Sequence, residues 1–430
     1  MLHSLLLTAA LLLGQSPFPT PSASNDQGLS LAVRPTGGNY SYSLGDTARF
    51  EVTIEGSGEM QLAYTFSHGK AKVYISDELT SRPGTVQLAC AMSEPGFLRL
   101  DVTLRADGDS LRAAQAVGFD PLLIRPTGSL PHDFARFWGH GLAELLRVSS
   151  DPIIEHVPEQ DNGGMRRYKV SLGNIEGSRI YGWLTIPAGK GPFPAVVHIP
   201  GAPGGVNEFH TGARQDYAQA GIMVLSLNIH GVPIDLPEEI YLDFYNRRQL
   251  GYAPLAGVED KYRYYYRRVV LGGIRALDYI HSRPDVDTTR VAVAGGSQGG
   301  GLSLLVTSID KRVDALVLHV PAMCDQFGID HGRPTGWPHL LRRADSPETR
   351  HTAAYFDGAL AASRISCPVI VGVSFLDEAC PPTTVYSMFN SLGGAKEIIV
   401  HPGVHHPGSF TMARSAELIS RLVKLFTITD

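Results

Sequence analysis

Five glycines surround one serine in a short apolar stretch of the sequence. The stretch reads VAVAGGSQGGGLSLL, and its centre, Gly295-Gly296-Ser297-Gln298-Gly299, is a G-x-S-x-G pattern. Glycine costs about 0.5–1 kcal/mol relative to alanine inside a helix or strand, so the run requires a reason. The pattern follows a predicted strand and opens a predicted helix, which is the context of a nucleophile elbow. We therefore predict that Ser297 is a nucleophile and that the backbone amide of Gln298 faces a developing oxyanion.

A glycine-rich turn between a strand and a helix can instead hold a phosphate. The sequence contains no G-x-x-x-x-G-K-[ST] motif to support that alternative.

A serine nucleophile needs an acid and a histidine base, which follow it in this order on an α/β-hydrolase fold. The stretch PVIVGVSFLDEACPP ends an apolar run with Asp377 and Glu378. Site residues lie at the carboxyl ends of strands in an open α/β sheet. We predict Asp377 as the acid, with Glu378 as the alternative and a solvated loop acid as the plainer interpretation.

Three histidines are candidates for the base. They are His401, His405 and His406 in IIVHPGVHHPGSF, and residue types alone do not choose among them. The second oxyanion amide should come from the loop after the strand FPAVVHIP. Ala202 is the predicted donor, because Pro203 has no N–H.

Two kinds of pattern divide the chain. Residues 25–118 hold about seven short alternating runs separated by turn residues, which predicts a small β-sandwich. Residues 119–430 alternate apolar strands with helices, which predicts an α/β-hydrolase domain with a mostly parallel sheet covered on both faces. All predicted catalytic residues lie in the second region, so we expect a chain without residues 1–118 to keep its chemistry.

Composition excludes several functions. The 430 residues are 43% hydrophobic and 18% charged with a net charge of −5, which fits a globular protein and not a basic nucleic-acid binder. Residues 1–24 resemble a signal peptide, since the apolar run Leu5–Leu13 is too short to span a bilayer. We therefore predict a secreted or periplasmic protein without a membrane span.

The four cysteines are far apart in the sequence and form no C-x-x-C pair. A zinc cluster is not expected from this spacing, and no disulfide is predicted. We predict no metal and no organic cofactor.

Several segments together resemble one enzyme family. They include GGSQGGG, FLDEACPPTTVYSMFNSLGGAKEI and GFDPLLIRPTGSLPHDFARFW, and the resemblance covers roughly residues 120–430. They are similar to the acetyl xylan esterase and cephalosporin-C deacetylase family, carbohydrate esterase family seven. The resemblance implies Ser297 as nucleophile, Asp377 as acid and His406 as base, and it places Ala202 after the first oxyanion glycine.

The sequence departs from the family at one motif. His230-Gly231-Val232 stands where members typically carry Arg-Gly-Gln, which is linked there to loop ordering and hexameric assembly. The resemblance therefore leaves homo-oligomer formation open, and His230 becomes a candidate substrate contact. The N-terminal sandwich is also absent from the compact members of the family.

The expected function is removal of acetyl groups from acetylated carbohydrate. The resemblance implies xylan, xylo-oligosaccharides or cephalosporin C as substrate. The alternatives are a serine peptidase of the dipeptidyl or acylaminoacyl type on the same fold, and a carbohydrate-binding protein with a decayed hydrolase domain.

Overall fold

The computed structural model describes most of the chain. The described residues are 22–25, 28–106, 108–202, 214–237, 239–241, 254–406 and 412–428. The predicted signal peptide, residues 1–24, lies outside them except for its last three residues. Those three form a strand, which the predicted boundary at residue 24 did not anticipate.

The N-terminal region is a sandwich of two sheets with more strands than the sequence predicted. Its strands are β1 (Ser22–Ser24), β2 (Ser30–Pro35), β3 (Ser41–Tyr42), β4 (Ala48–Glu55), β5 (Met60–His68), β6 (Lys72–Ser81), β7 (Gly84–Cys90), β8 (Gly96–Ala106) and β9 (Asp109–Phe119). The sheets have the orders β1-β2-β4-β7 and β3-β9-β8-β5-β6. Alternate residues of these strands point inward and form a buried apolar core between the sheets.

A nine-stranded sheet forms the rest of the fold. Its strands are β10 (Ile153–His156), β11 (Arg166–Gly173), β12 (Arg179–Ile186), β13 (Phe193–Ile199), β14 (Met223–Asn228), β15 (Val286–Gly296), β16 (Ala315–His319), β17 (Val369–Ser374) and β18 (Lys396–His401). The sheet order is β10-β11-β12-β14-β13-β15-β16-β17-β18. The pairs from β14 to β18 are parallel, whereas β10, β11 and β12 join the sheet antiparallel.

Helices accompany this sheet on both faces. Those described are α1 (Phe134–Leu146), α2 (Gln215–Gln219), α3 (Tyr265–His281), α4 (Gln298–Ile309), α5 (Leu340–Arg343), α6 (Pro347–Tyr355), α7 (Gly358–Ala361), α8 (Pro382–Ser391) and α9 (Met412–Ile428). Val197 and Val293 face a core shared with α3 and α4. Their strand neighbours Val196 and Ala292 face the opposite core, which α9 covers through Leu422. The alternation explains why the strands are apolar throughout, and it confirms the predicted fold class.

The sandwich packs directly on the hydrolase region. Phe97 of β8 lies with its ring centroid 4.8 Å from that of Phe375 and 5.3 Å from that of Tyr386 in α8. His68 Nε2 lies 3.2 Å from Thr383 Oγ1. β5 and β8 therefore contact α8, and β8 also contacts the segment that follows β17.

Two further features concern the cysteines and the apolar character of the helices. All four cysteines are free thiols, and three of them are buried. Within the described residues, no helix has the length and apolar character needed to cross a membrane.

Candidate active site

Close approach of backbones explains the glycines around Ser297. A Cβ atom at Gly299 would lie 2.0 Å from the carbonyl oxygen of Ile199, at the end of β13. A Cβ atom at Gly295 would lie 2.4 Å from the carbonyl carbon of Gly299 itself. Both glycines of the G-x-S-x-G pattern are thus required where β13, β15 and the first turn of α4 meet. Ser297, between β15 and α4, has φ +52° and ψ −123°, a backbone conformation that residues other than glycine rarely adopt.

Ser297, His406 and Asp377 form one hydrogen-bonded chain. Ser297 Oγ lies 3.1 Å from His406 Nε2. On the other side of the ring, His406 Nδ1 lies 2.7 Å from Asp377 Oδ2. The ring is partly accessible, whereas the Asp377 side chain is fully buried. With Nδ1–H donating to the carboxylate, Nε2 is the ring atom left to accept the serine proton.

The loop after β17 fixes the orientation of Asp377. Its Oδ1 accepts hydrogen bonds from the backbone N–H groups of Ala379, at 2.9 Å, and Cys380, at 2.7 Å. Glu378, the alternative acid, points elsewhere and pairs with Lys70 at 2.8 Å and Arg99 at 3.0 Å. The structure therefore brings Asp377, and not Glu378, to His406.

The other two candidate bases have different surroundings from His406. His401 is the last residue of β18, and its ring centroid is 6.3 Å from that of His319. Burial lowers the pKa of His401 to about 4, which keeps the ring neutral. His405 is exposed. A backbone hydrogen bond of 3.0 Å from Leu376 N–H to the Val404 carbonyl ties the loops of the acid and the base together.

Of the two predicted oxyanion donors, Gln298 directly follows Ser297, and Ala202 lies in the loop after β13. Gln298 is the first residue of α4, and its side-chain Oε1 accepts a hydrogen bond of 2.7 Å from the Tyr266 hydroxyl. A Cβ atom at Gly201 would lie 3.7 Å from Ser297 Cβ, so Ala202 directly follows a residue that adjoins the serine. Residues 203–213, which continue this loop, lie outside the described residues.

His230 occupies a buried position against α3. Its backbone N–H donates to Asn228 Oδ1 at 2.8 Å, and its Nδ1 lies 3.0 Å from the Tyr265 hydroxyl. These contacts give the side chain a structural role, and its contact with substrate stays a prediction.

Sequence reasoning missed two neighbours of Ser297. The Ser297 N–H donates to the His319 carbonyl at 2.9 Å. Cys380 Sγ lies 4.0 Å from Ser297 Oγ, and burial raises the pKa of its thiol, so that the thiol is neutral. Cys380 belongs to the D-x-x-C-P-P motif, which was the available signal.

Potential metal ligands also meet at this point. One ligand atom from each of Asp377, Cys380 and His406 lies within 4.8 Å of the others. Two of these residues already form the hydrogen-bonded chain with Ser297. A metal ion here would therefore compete with that chain.

The doubly covered sheet with its serine on a strand-to-helix turn defines an α/β-hydrolase fold. The sequence profile described as acetyl xylan esterase (AXE1) matches residues 123–422. The chain belongs to this family. It is a carboxylic ester hydrolase, and its family membership supports action on acetyl esters.

Individual relatives agree with this assignment. The chain is similar to the acetyl esterase Axe7A of Xylanibacter ruminicola, with 32% identity over 380 residues, 86% of this chain and 85% of the relative. The structure of an acetyl xylan esterase from Paenibacillus sp. R4 matches with a TM-score of 0.58 and 27% identity, over 71% of this chain and 98% of that one. Acetyl xylan esterase 1 from Thermoanaerobacterium sp. JW/SL YS485 shares the fold, with a TM-score of 0.58 and 22% identity over 70% and 97% of the two chains.

Proposed function

We propose that the protein is a serine esterase that removes acetyl groups from acetylated xylan or xylo-oligosaccharides through an acetyl-enzyme. The observation that carries the proposal is the continuous hydrogen-bonded chain from Ser297 Oγ through His406 to Asp377, with distances of 3.1 and 2.7 Å. The substrate class is inferred from the names of the similar esterases.

In the proposed mechanism, Ser297 Oγ attacks the acetyl carbonyl carbon while His406 Nε2 takes the serine proton. Asp377 holds the imidazole orientation and stabilises the imidazolium that forms. As the tetrahedral intermediate collapses, the ester bond breaks and His406 protonates the departing sugar oxygen. Water, deprotonated by His406, then attacks the acetyl-enzyme and releases acetate.

The negative charge on the carbonyl oxygen requires hydrogen-bond donors. We assign this role to the backbone N–H groups of Gln298 and Ala202, on the evidence of their positions beside Ser297. The N-terminal end of α4 adds a favourable field at the same point. No cofactor or metal takes part in this mechanism.

Replacing Ser297 tests the proposal. We expect Ser297→Ala to lower kcat/KM for p-nitrophenyl acetate and for acetylated xylo-oligosaccharides by at least about 10³-fold, the scale for loss of a triad member. Ser303→Ala is a matched control, because Ser303 lies buried on the adjoining helix α4 and its hydroxyl has no hydrogen-bond partner among the described residues. A Ser297→Ala enzyme with a tenth of the wild-type activity would remove Ser297 from the nucleophile role.

Substrate panels separate the remaining possibilities. Acetyl esters should react faster than butyryl or octanoyl esters, and cephalosporin C tests the second acetyl donor implied by the resemblance. Cleavage of aminoacyl-nitroanilides in preference to acetyl esters would favour the peptidase alternative. Binding of glycans without turnover would favour the decayed binding protein.

We also propose that the protein is exported, on the evidence of the apolar run Leu5–Leu13. Cleavage near Gly14–Ser16 would retain β1, which pairs with β2, whereas cleavage after Ser24 would remove it. N-terminal sequencing of the exported protein distinguishes the two sites.

A further inference from the structure

A groove on the outer face of the sandwich reaches the hydrolase region at His405, the chain neighbour of His406. Its volume is about 500 Å³, and its lining includes Thr65, Asp101, Thr103, Arg112 and, from the hydrolase region, His405. The groove therefore joins the two regions of the chain.

The alternation of β8 explains why this face is polar. Leu100 and Val102 point into the sandwich core, so that Asp101 and Thr103 point outward. Asp101 pairs with Thr65 on β5 and with Ala114 on β9, while Thr103 pairs with Arg112. Small, hydroxyl-bearing and charged side chains thus line the groove together.

Ion pairs connect the near end of the groove to the loop of the acid. Glu378 follows Asp377 in the chain and pairs with Lys70 and Arg99, both of which line the groove. His405, at the same end, precedes His406. One lining residue, His405, is thus the chain neighbour of His406, and two others, Lys70 and Arg99, pair with the chain neighbour of Asp377.

The chemistry of the lining selects the kind of ligand. Arg99 is held by Asp101 at 2.8 Å and by Glu378 at 3.0 Å, and Lys70 is held by Glu378 as well. Much of the charge is thus compensated within the wall. Hydroxyls and hydrogen-bonding charged groups suit a neutral, hydroxyl-rich ligand better than an apolar one.

We propose that this groove binds the sugar residues adjoining the acetylated sugar of an oligosaccharide, and so selects chains over single sugars. The proposal rests on the proposed function and adds a second recognition surface to it. Residues Arg99 and Thr103 lie four positions apart on β8, a distance of about 14 Å along an antiparallel strand. That length accommodates more than one sugar ring.

Chain-length dependence in the full-length protein tests the groove. The readout is the ratio of kcat/KM on a long acetylated xylo-oligosaccharide to kcat/KM on an acetylated methyl xyloside. We expect Thr103→Trp, which fills the groove, to lower this ratio at least about tenfold, and Arg112→Gln to lower it less. Both residues are on an open sheet face, so one variant serves if the other fails to fold.

Arg49→Gln is the matched control, since Arg49 is exposed on β4 in the opposite sheet. It should leave the ratio unchanged. An unaltered ratio in both folded groove variants would overturn the proposal. So would sedimentation data showing that wild type forms a dimer through this face and that Thr103→Trp is monomeric. Failure of the proposed function looks different, because wild type would then release no acetate from either sugar.

Discussion

Replacing Gly299 by alanine should damage both stability and catalysis. The new methyl group would lie 2.0 Å from the Ile199 carbonyl oxygen and 2.7 Å from that of Pro200. Ordinary C···O contacts are no shorter than about 3.3 Å, so the contact with the Ile199 oxygen would be too short by more than about 1 Å. Both clashing oxygens belong to the backbone, so the overlap is removed only if α4 and the end of β13 move apart.

Overpacking of this kind costs roughly 1–3 kcal/mol of unfolding free energy. Because Ser297 directly precedes α4 and Gly201 lies in the loop after β13, the same movement displaces the nucleophile from the predicted oxyanion loop. A displacement of about 1 Å can cost about 10²-fold in rate. We therefore expect Gly299→Ala to lower the denaturant midpoint and to lower kcat/KM for p-nitrophenyl acetate about 100-fold.

Gly139→Ala is the matched control. Gly139 is an exposed residue of α1, and a Cβ atom there meets nothing within 4 Å. Alanine should stabilise this helix by about 0.5–1 kcal/mol without changing activity. Wild-type stability and kcat/KM in Gly299→Ala, measured beside this control, would refute the close-approach explanation of the elbow.

Three further predictions concern the two adjacent histidines, Arg99 and His68. His406→Ala should lower activity about as much as Ser297→Ala, and the double variant should show no further loss because the two residues act as a unit. His405→Ala should retain acetyl-ester turnover. The reverse result would make His405, and not His406, the base. Arg99→Gln, which removes the ion pair with Glu378 and the 3.3 Å hydrogen bond to the Leu376 carbonyl, should lower kcat/KM on small acetyl esters as well as on long ones, and a loss confined to long substrates would contradict this. Burial lowers the pKa of His68 to about 4, so the unfolded chain binds a proton first and stability falls as the pH drops below about 6.5. From pH 7 to 5 the His68 contribution to this loss is roughly 2 kcal/mol, and denaturant titrations should show a total loss smaller by about this amount in His68→Asn than in wild type.

Local patterns in the sequence predicted the elbow and the order of the site residues. A strand, a glycine-rich turn and a helix are contiguous around Ser297, so that spacing alone describes them. The choice between Asp377 and Glu378 depends on which side chain the loop buries, and adjacency in the sequence cannot show this. The choice of His406 came from the family resemblance, and the hydrogen bonds to Ser297 and Asp377 agree with it.

Contacts between the sandwich and the acid loop had no signal in the sequence. Arg99 and Glu378 are separated by 279 positions, and an ion pair between distant charged residues leaves no periodicity. In the sequence, Phe97 likewise has the pattern of an ordinary core residue of a strand. Only the docking of β8 on the segment after β17 shows that it packs against Phe375.

These contacts alter the role that the sandwich can have in the enzyme. The expectation that residues 119–430 act alone rested on the location of the catalytic side chains, all of which lie in that region. Yet Phe97 covers Phe375, and Arg99 bonds to the Leu376 carbonyl and to Glu378, on both sides of Asp377. Removing the sandwich would expose the apolar surface of this segment to water and leave Glu378 without its cations. Since the Asp377 carboxylate orients His406, the sandwich is better understood as a support of the active site than as a separable appendage.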